Sequence, residues 1–204
     1  MPLAPNTKFD HYEILGPAGG RRDGRFVIYT QTGEKTQHDL WVWPLFGDRE
    51  PFCLLATEFD EGQGQFSPDG RWLAYVSTES GSQEVYVQQF AETGSVDGKG
   101  SDGKWRISTS GGNQPRWRHD GKELYFIAAD NTLMAVPVNM RGATFEAGNP
   151  NPLFKTRLPF STPSLGFEYG VTADGQRFLL NTQVGEASAT QVSVILNWTE
   201  GLKK

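Results

Sequence analysis

Gln65-Phe66-Ser67-Pro68-Asp69-Gly70-Arg71-Trp72-Leu73-Ala74-Tyr75-Val76 is a short apolar entry, an Asp-Gly turn and an apolar run. The same phrase returns as Asp23-Gly24-Arg25-Phe26-Val27-Ile28-Tyr29, Asp120-Gly121-Lys122-Glu123-Leu124-Tyr125-Phe126-Ile127 and Asp174-Gly175-Gln176-Arg177-Phe178-Leu179-Leu180. In Ser67-Pro68-Asp69-Gly70 the proline presets φ, the aspartate tolerates the next position through local hydrogen bonds, and glycine supplies a positive φ at the exit. Asp-Gly between apolar runs is a strong hairpin signal.

The four aspartates lie 46, 51 and 54 residues apart. An apolar residue stands three places before each of the last three: Phe66, Trp117 and Val171. Beyond each turn a second apolar segment follows: Leu40–Trp43, Val85–Val87, Leu133–Val136 and Val192–Leu196. Three repeats add a third: Phe52–Leu55, Trp105–Ile107 and Leu153–Phe154. Each unit therefore predicts a meander of about four strands, and a period of roughly 40 to 50 residues built this way marks the blades of a β-propeller. The runs after the turns are apolar on consecutive residues, as in strands buried on both faces. Their Val, Ile, Tyr, Phe and Trp content and short length argue for strand over helix.

The fold class expected is all-β: a partial or small propeller of about three and a half to four blades of four-stranded antiparallel meanders. Dividing the chain at the Asp-Gly pairs puts blades near 23–68, 69–119, 120–173 and 174–204, within a repeat region of 22–204. The first repeat has Gly20 where the others carry Phe66, Trp117 or Val171, which predicts that its innermost strand is missing, with Tyr12–Leu15 as a substitute edge. Ala91–Gly103 reads as an exposed excursion. Met140–Gly166, with Pro150, Pro152, Pro159 and Pro163, reads as an irregular stretch holding one strand.

Composition agrees: 24 Gly, 12 Pro and 12% aromatic residues describe a turn-rich β protein. A net charge of −5 disfavours nucleic acid as a partner. The lone Cys53 excludes a disulfide framework and reads as a small buried hydrophobe. No run of 18 apolar residues predicts membrane insertion, and the N-terminus lacks the apolar core of a signal peptide. A cytoplasmic location is the resulting expectation.

Catalytic constellations are sparse. His11, His38 and His119 are scattered without zinc-ligand spacing, and no Gly-x-Ser-x-Gly elbow occurs. The acidic group Glu58, Asp60 and Glu61 and the stretch Asp97–Asp102 lack EF-hand spacing and read as solvated loops. Trp41 and Trp43 read as blade core. Arg116-Trp117-Arg118 suggests a cation–π rim, with Trp117 a packing position. No catalytic, cofactor or metal residue is assigned, and the ligand-binding residues are left unknown.

The repeat around Gln65–Tyr75 resembles the PD40, or WD40-like, repeat of TolB-type propellers. It is also similar to the sensor propellers of bacterial serine/threonine kinases, whose C-terminal ends Val194-Ile195-Leu196-Asn197-Trp198 resembles. Leu3-Ala4-Pro5-Asn6-Thr7-Lys8-Phe9-Asp10-His11-Tyr12-Glu13-Ile14-Leu15-Gly16-Pro17 resembles the opening of the kinase domain in those proteins, so 1–21 reads as a truncated kinase-like segment. The strand lysine, the His-Arg-Asp loop and the Asp-Phe-Gly motif have no counterpart, and phosphoryl transfer needs them together. The resemblance implies a non-catalytic binding or sensing module, with a protein or peptide partner and no cofactor. It leaves open a gene-fusion remnant without activity, a self-associating fragment, and an extracytoplasmic position for the parent family's propellers.

Overall fold

The computed structural model describes residues 8–9, 12–13, 19–20, 23–32, 38–47, 49–92, 103–142, 144–158 and 166–182. The described residues are strands, turns and bends without a helix, so none is long and apolar enough to cross a membrane. β1 (Lys8–Phe9) and β2 (Tyr12–Glu13) pair with each other and not with a blade. The first sheet is β3 (Gly19–Gly20), β4 (Phe26–Gln31), β5 (Asp39–Pro44) and β6 (Phe52–Leu55). The second is β7 (Glu61–Phe66), β8 (Trp72–Ser77), β9 (Glu84–Gln89) and β10 (Lys104–Arg106). The third is β11 (Gly112–Trp117), β12 (Glu123–Ala128), β13 (Thr132–Arg141), β14 (Thr144–Ala147) and β15 (Asn151–Lys155). β16 (Tyr169–Val171) and β17 (Phe178–Leu180) open a fourth.

All pairings are antiparallel. The sheets begin one strand earlier than a division at the Asp-Gly pairs, because the strand entering each turn bonds to the strand leaving it. Gly19–Gly20 pairs with Ile28 and Val27, so the first repeat does carry a short innermost strand. Pairing needs only backbone groups, which glycine supplies despite having no side chain to pack. The segment Val192–Leu196 and the excursion at 93–102 lie outside the described residues.

The turns behave as their chemistry predicts. Gly70 and Gly175 donate to the carbonyls of Ser67 and Thr172, each at 2.8 Å, and Asp69 and Asp174 accept the amides two residues on, at 3.1 and 3.0 Å. The turn glycines Gly24, Gly70, Gly121 and Gly175 all sit at φ between 70° and 72°. At Gly175 a Cβ would also lie 2.6 Å from the Tyr125 hydroxyl, so the turn seats directly on the third blade.

The blades stack on both faces of their second strands. In β8, Trp72, Ala74 and Val76 join Leu124, Phe126 and Val136 of the third blade, while Leu73 and Tyr75 join Phe26, Ile28 and Leu40 of the first. In β12, Tyr125 and Ile127 turn the other way, toward Tyr169 and Phe178 of the fourth. Residues on alternate faces of one strand thus serve two neighbours.

Among its described residues Met140–Gly166 holds two strands of its own rather than one. β13 runs on to Arg141 and pairs with β14, which delivers Phe145 between blades. There its ring centroid lies 5.3 Å from Trp72, 5.1 Å from Trp105 and 6.3 Å from Trp117. Burying such an aromatic stabilises by about 1.5–3 kcal/mol, one contribution toward holding the hairpin against the blades.

Candidate functional site

The first strands of successive blades, β7, β11 and β16, lie on the concave side of the arc. Gln63, in the second blade, donates to the Gly166 carbonyl just before the fourth at 2.9 Å, passing the third blade on the inside. At the far end from the Asp-Gly turns, these strands are stitched by a relay of glutamines. The Gln114 amide donates to Gln63 Oε1 at 2.7 Å, and the Glu168 amide donates to Gln114 Oε1 at 2.6 Å. Tyr169 closes the relay through its hydroxyl, which donates to the Gln114 carbonyl at 2.9 Å. Gln63 and Gln114 sit at φ of 53° and 56°, inside the register shifts of β7 and β11. A bulge turns the side chain out of the ladder and toward the next blade. The sequence signal is a glutamine six residues before Asp69 and another before Asp120, with Glu168 in that place before Asp174.

At the Asp-Gly end the same strands diverge around a groove of about 570 Å³, walled by Gln65, Pro68, Arg116, His119, Gly170 and Thr172. A second groove, of about 460 Å³, continues from Pro68 and His119 over Asp69, Asp120, Lys122 and Arg141. Gly170 faces open space, with nothing within 4 Å of where a Cβ would be.

Arg116 is the partly buried cation of this groove. Its guanidinium carbon lies 3.8 Å from the Phe167 ring centroid, and Nη1 donates to Gln65 Oε1 at 3.3 Å. Burial lowers its pKa from the ordinary 12.5. Among the described residues no carboxylate pairs with it, and its Nε is buried without a partner. The cation–π contact therefore forms with Phe167, whereas Trp117 packs in the core and donates from Nε1 to the Gln65 carbonyl at 3.1 Å. Arg118 turns away to Glu123, at 3.0 Å, and Asp120, at 3.2 Å.

Of the acidic group Glu58 is exposed as expected, but Glu61 is not part of a solvated loop. Glu61 is only 2% exposed at the start of β7, and burial lifts its carboxyl to about 7 against hydrogen bonding from Thr57. Asp60 lies 2.8 Å from the His38 ring. The strand that brings Gln63 to the relay draws Glu61 inward one step earlier. Trp41 and Trp43 are half-buried, and Leu40 and Val42 at the alternate positions form the core instead. Cys53 is half-buried as well, its thiol pushed up to about 11 by burial and by the nearby charges of Asp39 and Glu61. His119 lines both grooves. Asp97–Asp102 and His11 lie outside the described residues. Among the described residues no three His, Cys, Asp or Glu side chains gather as a metal site.

Stacked four-stranded antiparallel meanders with their first strands inside define a partial β-propeller. The fold is TolB-like: the chain is similar to the crystal structure of TolB from Acinetobacter baumannii, with a TM-score of 0.57 and 17% identity over 85% of this chain. It is also similar to a puromycin-hydrolyzing peptidase of Mycobacterium tuberculosis, with a TM-score of 0.51 and 17% identity over 78% of this chain. The chain spans 39% of that TolB and 26% of that peptidase. No family model and no curated protein sequence matches it.

Proposed function

We propose that the chain is a non-catalytic interaction module that binds a protein or peptide segment in the groove at the Asp-Gly end of its first strands. The observation that carries this reading is the convergence of strand ends from three blades on one groove of about 570 Å³, open to the surface and continuous with a second. A rigid scaffold presenting varied strand ends and turns is the usual design of a binding surface. The repeat's resemblance to the sensor propellers of bacterial serine/threonine kinases supports a sensing role for the bound segment.

Gly170 offers a direct test, because it lines the groove and nothing lies within 4 Å of where its Cβ would be. Wild type and Gly170→Leu are compared on a random-peptide array after their urea stabilities are measured. Equal stability with loss of the bound peptides supports the groove; an unchanged set of peptides refutes it.

A second reading, self-association, is favoured by Leu153, Phe154 and Leu179, which are 44%, 42% and 80% exposed on the outer strand of the third blade and on the fourth. Light scattering decides it: a monodisperse monomer across micromolar concentrations excludes it.

A further inference from the structure

Arg116 and the arginines beside the Asp-Gly turns differ in their partners. Arg25 pairs with Asp23 and Glu92, each at 2.7 Å, Arg71 with Asp69 at 2.6 Å, and Arg118 with Glu123 at 3.0 Å. Arg116 alone among these four is held by neutral groups. Phe167 fixes the plane of its guanidinium and Gln65 holds Nη1; among the described residues Nε is buried without a partner and Nη2 makes no hydrogen bond. Burying a cation in this way is costly unless an anion completes it. The cost is concentrated on the wall of the larger groove, with the open space of Gly170 on the same lining.

We propose that Arg116 is the recognition residue of the groove and that the bound segment presents an acidic side chain to it. This rests on the groove reading above. With its plane set by Phe167, Nη1 held by Gln65 and Nε closed off from the surface, the guanidinium has Nη2 to offer a carboxylate in a charge-assisted hydrogen bond. A phosphate, carrying more charge, calls for several cations, and Arg116 is the one Lys or Arg among the described residues lining the larger groove. A peptide is the fitting source of the carboxylate, because the two joined grooves run past two Asp-Gly turns and far exceed a single small acid. Of the acids at this end, Asp69 is paired with Arg71 at 2.6 Å and Asp120 with Arg118 at 3.2 Å, while Asp174 accepts from the Thr172 hydroxyl.

The test uses the full chain on the random-peptide array, as wild type, Arg116→Gln and Arg116→Lys, each shown to be folded by its urea transition. Wild type should select Asp or Glu at one peptide position. Arg116→Gln should lose that preference, binding acidic peptides on the order of tenfold more weakly. Arg116→Lys should keep the preference with reduced affinity. An acidic preference that persists in Arg116→Gln overturns the assignment. Peptide binding without acidic selection in wild type overturns it too, while leaving the groove reading intact. The absence of any bound peptide overturns both. Free glutarate is the remaining arm: competition at the affinity of the acidic peptide would make a small acid the source, against the proposal.

Discussion

Replacing Gln114 by alanine and by glycine separates the two things this residue does. Its side chain accepts the Glu168 amide at 2.6 Å, and its backbone sits at φ 56°. Both variants lose the same acceptor and leave a blade-to-blade N–H unsatisfied, a cost of about 1–3 kcal/mol. Both keep the backbone bonds to Gln63 and Tyr169. They differ at the left-handed backbone, where a Cβ costs roughly 1–2 kcal/mol that glycine escapes. Glycine gives back about 0.5–1 kcal/mol through its freer unfolded chain. Gln114→Gly should therefore be more stable than Gln114→Ala by roughly 0.5–1 kcal/mol, the reverse of their ordinary order within a strand. Urea unfolding followed by tryptophan fluorescence reads this as a midpoint difference of about 0.3–0.5 M, for an m-value near 2 kcal/mol/M. An alanine variant at least as stable as the glycine variant would refute the bulge as the reason for this glutamine. A loss below about 0.5 kcal/mol in both would refute the relay as an interblade tie.

Gly24 and Gly175 share a φ of 70° and 72°, but only Gly175 has neighbours within 4 Å of a Cβ, at Tyr125 and Arg118. Gly175→Ala should lower the urea midpoint more than Gly24→Ala, and equal losses would remove the contact argument. Burial raises the Glu61 carboxyl from 4.5 to about 7, so the folded state holds its proton more tightly than the unfolded chain. Its stabilising contribution is complete below pH 4.5 and is lost as the pH rises through about 7. Glu61→Gln should flatten that fall in a pH series of urea midpoints; a slope identical to wild type would place the titration elsewhere. Isothermal calorimetry with ATP and Mg²⁺ should show no saturable binding, since the lysine and metal-binding carboxylates of a kinase have no counterpart; sub-millimolar affinity would contradict the reading of the first twenty residues.

The repeated phrase determined the architecture by itself, because its information is local. Each Asp-Gly turn is closed by atoms within five residues, and each consecutive apolar run, such as Trp72 to Val76, already states that both faces of the strand will be covered. What the tertiary structure alone decided depends on approaches between distant segments. Gly19–Gly20 became a strand because Val27 and Ile28 offered backbone partners, a pairing that side-chain patterns do not announce. Phe145 became core because three tryptophans from two blades converge on it. Glu61, legible only as one of three acids, was drawn into the interior by the strand it begins. Arg116 became a fixed cation through Gln65, 51 residues away in sequence, and the ring of Phe167. A register shift and the spacing between stacked sheets set those contacts, and both arise only when the blades pack.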